Sequence, residues 1–224
     1  MTISRIAANG TTSNTGSISV TLTVAVGDLV LFSTIANNTT NTGGFLTPPS
    51  GVTQLGADSN SGTQFFYTIA TSAGSVTYTF ANASDNVIGL VYAQYRSTLA
   101  SCTIETKSLN SGGVASSYTV PVISADYATD WYVLLGGSEI SNADMYISGI
   151  SPTGLVQQAI EQPPNTGINS SEYVQIYDSN GAVAATGSQS AYALTYTASG
   201  VFYVGVLIIT EETPSGGAPL VMII

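Results

Sequence analysis

From Ile18 to Val26 the chain alternates strictly, with Ile18, Val20, Leu22, Val24 and Val26 interleaved by Ser19, Thr21, Thr23 and Ala25. A period of two places all the larger apolar side chains on one face of an extended segment, so these residues predict a half-buried β-strand. After Gly27-Asp28 the pattern changes to a continuous apolar run, Leu29 to Phe32, followed by a loop rich in Asn, Thr and Gly that reaches Pro48-Pro49-Ser50-Gly51. Further strands are predicted at QFFYTIA (64–70), SVTYTF (75–80) and VIGLVYAQY (87–95), each dense in β-branched and aromatic residues and bounded by Gly, Asn, Ser or Asp. No segment longer than one turn carries the i, i+3, i+4 apolar spacing of a helix. Short strands joined by polar turns point to an all-β sandwich.

The same order of elements recurs further along. Val20 and Leu22 correspond to Val120 and Val122, Asp28 with its apolar run to Asp130 with Trp131 to Leu134, and Pro49-Ser50-Gly51-Val52 to Pro152-Thr153-Gly154-Leu155. Val76, Tyr78 and Phe80 align with Tyr192, Leu194 and Tyr196, and Val87 to Val91 with Tyr203 to Leu207. QFFYTIA lies on EYVQIYD in either of two registers one residue apart. The expected fold class is therefore all-β: two tandem β-sandwich domains, jelly-roll or immunoglobulin-like, related by internal duplication. The boundaries that follow are a first repeat at 1–105, a Gly/Ser-rich linker at 106–117, a second repeat at 118–210 and a C-terminal arm at 211–224. The runs 87–93 and 201–209 are expected to be central strands buried on both faces. Gly89 and Gly205 within them predict a bulge or a close backbone approach.

Composition narrows the function. Hydrophobic residues are 44% of the chain but charged residues only 7%, so Ser, Thr, Asn, Gln and Gly must cover the surface. Up to residue 107 the chain has all three cations, Arg5, Arg96 and Lys107, against four acids; beyond it come nine carboxylates and no cation. Such a field repels phosphate, which excludes nucleic acid and anionic membrane surfaces as partners. The Met1 to Gly16 segment has no apolar stretch of signal-peptide length, and no apolar run is long enough for a membrane helix.

The chemistry available is sparse. With no histidine, Ser-His-Asp and Cys-His arrangements cannot be built. Lys107 has no phosphate-loop motif around it, and the lone Cys102 reads as a buried thiol. A carboxylate pair such as Glu161 with Glu172 could in principle hydrolyse glycosides, and Asp126 with Asp130, or Asp144 near Glu139, could offer oxygens to calcium. Nothing in their spacing singles them out. The expectation is a protein with no catalytic, cofactor-binding or metal-binding residues. Of the 13 tyrosines, those such as Tyr78 and Tyr192 that alternate with Thr or Ala read as core.

An Asp-led apolar strand (Asp28 to Phe32), a Pro-Ser-Gly turn (Pro49 to Val52), a tyrosine strand ending in Ile-Ala (Tyr67 to Ala70), a Thr-rich strand (Val76 to Phe80) and a closing Tyr95-Arg96 form one pattern. In this the chain resembles bacteriophage virion β-sandwich proteins, in two tandem copies. The resemblance implies a structural, non-enzymatic virion protein, a capsid decoration or cement protein on the outside of the head. The alternative is a tail-associated protein or a fibre receptor- or carbohydrate-binding module. Expected partners are other virion proteins, the major capsid protein or tail proteins, and further copies of itself. The expected location is the virion, after synthesis in the host cytoplasm. Leu220, Val221, Met222, Ile223 and Ile224, beyond a linker rich in Pro and Gly, form a candidate subunit-interface arm.

Overall fold

In a computed structural model, the residues described are 3–37, 45–81, 87–98, 101–141, 144–163, 170–183 and 186–212. They contain strands and turns and no helix. The first half has β1 (Ile3–Ser13), β2 (Ser17–Val24), β3 (Leu29–Asn37), β4 (Thr53–Asp58), β5 (Thr63–Ile69), β6 (Gly74–Ala81) and β7 (Val87–Ser97). The second has β8 (Ser101–Thr119), β9 (Ser124–Ala125), β10 (Trp131–Ser141), β11 (Ile147–Ser151), β12 (Val156–Glu161), β13 (Ser170–Asp178), β14 (Gly187–Ser188) and β15 (Ala193–Glu212). A large antiparallel sheet in the first half runs β1-β7-β3-β5-β4, and one in the second runs β8-β15-β10-β13-β12 with β11 beside the start of β15. The two large sheets share one strand order. Small sheets β2-β6 and β9-β14 complete the architecture.

The continuous apolar runs are explained by what covers each face. Along β3, Val30, Phe32 and Ala36 face the β2-β6 layer, whose inward side is the alternating row Ile18, Val20, Leu22 and Val24 with Tyr78 and Phe80 opposite. The odd-numbered Leu29, Leu31 and Ile35 face the other way, together with Phe65, Val91 and Tyr95. There they meet Trp131, Val133, Leu135, Val174, Ile176, Tyr203, Leu207 and Ile209 of the second half. Tyr132, Leu134, Val204, Val206 and Ile208, on the far face of that second sheet, close a further core with Ile123, Met145, Leu194 and Tyr196. The molecule is thus a stack of four layers in which the two large sheets are the inner pair. β3 packs over β10 and β13, and β1 over β12.

The halves consequently do not have two independent cores. Each covers one face of its large sheet by itself, but the other face of both is buried only where they meet. Glycines make that contact close. A Cβ on Gly137 would land on Thr63, one on Gly56 on the Tyr203 hydroxyl, and one on Gly205 3.1 Å from the ring of Phe65. One on Gly89 would come 2.8 Å from Pro163. A close approach is therefore what Gly89 and Gly205 provide, and the ladders show no bulge at either.

Four further expectations are corrected. Residues 106–117 are not a linker but the middle of β8, paired along β15, and the chain passes between halves at 98–101. The segment reads as a linker because it is an edge strand exposed along much of its length, and because Gly112 leaves room for the ring of its cross-strand partner Phe202. At the other end, β15 runs to Glu212, past the expected boundary at 210. In the middle strand, Leu31 pairs with Tyr67 and Val133 with Asp178, which matches Gln64 to Gln175 and neither of the two registers anticipated. Likewise Tyr95 lies opposite Leu29 and Ile209 opposite Trp131, two residues from the sequence alignment, a slip that preserves the faces.

The shared core makes a direct prediction. A fragment of residues 1–98 would expose Leu29, Leu31, Ile35, Phe65, Val91 and Tyr95 together, a patch large enough to drive association. It is expected to elute from size exclusion as aggregate or oligomer. A monodisperse 1–98 monomer with a cooperative melt would refute the account.

Candidate functional site

The densest polar cluster lies at the seam between the halves and centres on Asp178 at the end of β13. Its carboxylate is fully buried and accepts from Arg5 Nη1 of β1 at 2.9 and 2.8 Å, from Tyr95 Oη of β7 at 3.0 Å, from Gln158 Nε2 at 3.0 Å and from the Asn180 amide at 2.8 Å. Arg5 also donates to Asn180 Oδ1 at 3.1 Å. Two donors thus come from the first half and two from the second. Beside it, Trp131 meets Tyr95 edge-on with ring centroids 5.8 Å apart. With every donor directed at one carboxylate, the cluster is built to hold the halves together.

A second buried carboxylate, Asp28, belongs to the first half alone. Arg96 grips it with Nε at 2.7 Å and Nη2 at 2.8 Å, while Gln94 Nε2 and the Ala25 amide donate at 2.6 and 2.8 Å. Burial alone pushes the Asp28 carboxyl up, but the hydrogen bonds from Arg96, Ala25 and Gln94 outweigh it and leave the group below its ordinary value. The Asp28 and Tyr95-Arg96 signatures therefore meet in space, Arg96 on Asp28 and Tyr95 on Asp178. What the sequence did not show is the third member, Asp178, nor Arg5 and Gln158 around it. Their separation of up to 173 residues leaves no local signal.

The other candidates disperse. Glu161 on β12 lies against Gly10, and Glu172 on β13 is buried opposite Glu139. Both face the packed seam. Burial raises the Glu139 and Glu161 carboxyls. Asp144 is exposed and accepts from Gln162 Nε2 at 3.2 Å. Asp126 and Asp130 flank the turn before β10, with Asp130 buried and Asp126 exposed. Among the described residues no group of three or more acidic or sulfur side chains is arranged to hold a metal. Lys107 is exposed on β8; Cys102 is fully buried, and desolvation, with Glu211 and Asp28 nearby, pushes its thiol up to about 12. Tyr78 is core, as its alternation predicts, and Tyr192 is half-buried against Tyr132. The arm Leu220 to Ile224 lies outside the described residues. Among those residues no helix is long and apolar enough to cross a membrane.

Neither a protein-family model, a curated protein nor a solved structure matches this chain.

Proposed function

We propose that the chain is a non-enzymatic structural protein of a bacteriophage particle, a decoration or cement protein that binds the outside of the head and stabilises it. The observation that carries this reading is the outer face of the β2-β6 layer. Ser17, Ser19, Thr21 and Thr23 point outward beside Ser75, Thr77 and Thr79, with no charged residue among them. Ser19 and Thr79 pair through their hydroxyls at 2.8 Å, as do Thr21 and Thr77. Neutral hydroxyls satisfied by one another cost less to desolvate than charges, and side chains already held in place lose less entropy on docking. Such a face suits packing against a neighbouring subunit. The second half, with ten acidic residues from 101 onward against the single cation Lys107, faces solvent in this reading, because docking would bury its uncompensated surface acids at high cost. The carbohydrate-binding alternative requires aromatics grouped in one groove. Among the described residues the exposed large apolar side chains include only two rings, Phe45 and Tyr127, one in each half.

The test is cosedimentation with empty phage heads, alongside a glycan array. Thr21→Lys with Thr77→Glu places an opposite-charge pair across the two strands, which the sheet tolerates, but puts charge on the docking face. Head binding is expected to fall by about tenfold or more, equivalent to about 1.4 kcal/mol. Undiminished binding of the variant, or glycan binding by the wild type without head binding, would overturn the proposal.

A further inference from the structure

The turn leading into β10 repeats the turn leading into β3, but with different company. Asp28 Oδ2 accepts from the Ala25 amide at 2.8 Å and Asp130 Oδ2 from the Tyr127 amide at 2.9 Å. In each turn the Asp amide returns to the carbonyl three residues back at 3.1 Å. Around Asp28 stand Gln94 and Arg96. The pairing of Tyr95 with Leu29 and of Ile209 with Trp131 shows that Ile208 and Thr210 occupy the corresponding positions around Asp130. Both side-chain donors are thus replaced, and Oδ1 of the fully buried Asp130 has no hydrogen-bond partner.

What faces Asp130 instead is another acid. Ile208 pairs with Thr106 and Ile209 with Ile104, so Glu105 between them is the extra residue of a β-bulge in β8. A bulge re-aims a side chain. Glu105 is turned onto the 126–130 turn, where its Oε1 accepts from the Asp126 amide at 3.0 Å and its Oε2 is buried without a partner. Two ionised carboxylates in contact inside a protein repel strongly, and a single shared proton removes the conflict.

We propose that in mildly acidic solution Glu105 holds a proton and donates it to Asp130, so that a proton takes the part that Arg96 plays in the first half, and that its loss as the solution passes through neutrality loosens β8 from the turn ahead of β10. The other ionisable groups facing Glu105 are Asp126 on the same turn, whose charge adds to the repulsion, and Lys107 and Tyr67, which line the same shallow groove. Lys107 is exposed, and among the described residues no group of three or more acids is placed to hold a metal. Burial first, then hydrogen bonding and charge from Asp130, push the Glu105 carboxyl up to about 7. A carboxyl raised by folding stabilises fully below its unfolded value, near 4.5, and that contribution is lost as pH rises through about 7. Asp28, lowered from 3.8, does the opposite and weakens the fold only on acidification.

The experiment is thermal melting of the full chain across about pH 5 to about pH 9, for wild type, Glu105→Gln and Asp130→Asn. Glutamine donates the same hydrogen bond without titrating. Wild type is expected to lose about 2–4 °C over this interval, and each variant to lose less, the remainder coming from the raised Glu139 and Glu161 carboxyls, with Glu105→Gln melting above wild type at the alkaline end. A wild-type melt that does not change over the interval, or variants that fall in parallel with it, would overturn the proposal. So would calcium raising the alkaline melting temperature of wild type but not of Glu105→Gln, which would assign the pair to a cation.

Discussion

Asp178→Ala is expected to destabilise the protein by about 3–5 kcal/mol, the cost of breaking a buried ion pair from one side. The substitution strands Arg5, whose side chain is 23% exposed, and also deprives the buried hydroxyl of Tyr95 and the amide of Gln158 of their acceptor. Because donors come from both halves, the loss should appear in the chain's main unfolding transition and not in a separate early one. Arg5→Ala tests the same joint from its wetter end, and a smaller loss is expected since part of that side chain already contacts water. Urea unfolding followed by far-ultraviolet dichroism decides the matter. An Asp178→Ala loss below about 1 kcal/mol, the scale of a surface pair, would show that the cluster does not hold the seam.

Phe65→Ala is expected to cost a similar amount, about 3–5 kcal/mol, through an unfilled cavity in the shared core. Phe65 is fully buried, and its ring stacks on that of Tyr203 with centroids 4.7 Å apart and planes 8° from parallel. It also covers the backbone at Gly205 beside Leu109, so its removal opens a void between the sheets. The informative feature is the shape of the curve. Wild type and variant should each unfold in one cooperative step by intrinsic tryptophan fluorescence and by dichroism. If Phe65→Ala splits the transition in two, the halves are energetically separable and the shared core contributes little.

The distinction between alternating and continuous apolar strands was legible in the sequence. Ile18 to Val24 alternate because β2 is an outer strand with water on one side, and Leu29 to Phe32 do not alternate because β3 is an inner one. That the second buried face is shared between halves was not legible, since a run of apolar residues carries no record of which sheet covers it. The strand at 106–117 was hidden for a related reason. An edge strand with a single partner needs few apolar residues, and Gly112 gives up its side chain to the ring of Phe202. Arg96 and Asp28 were visible as signatures, although their contact was not. Glu105 could not be distinguished from any other acid, because its role depends on a bulge that exists only once β8 has paired with β15.

The seam also has a consequence for how the protein comes into being. Arg5 must wait for a partner 173 residues away, and the face carrying Leu31, Phe65 and Val91 stays uncovered until β10, β13 and β15 have left the ribosome. At about 5–20 residues per second, the nascent first half carries an open sticky surface for on the order of ten seconds. Crowded polysomes making this chain at high level are where neighbouring copies would exchange halves or clump, so less frequent initiation, which spaces the nascent chains apart, should favour yield of the correctly closed molecule, whereas slower elongation would prolong the exposure.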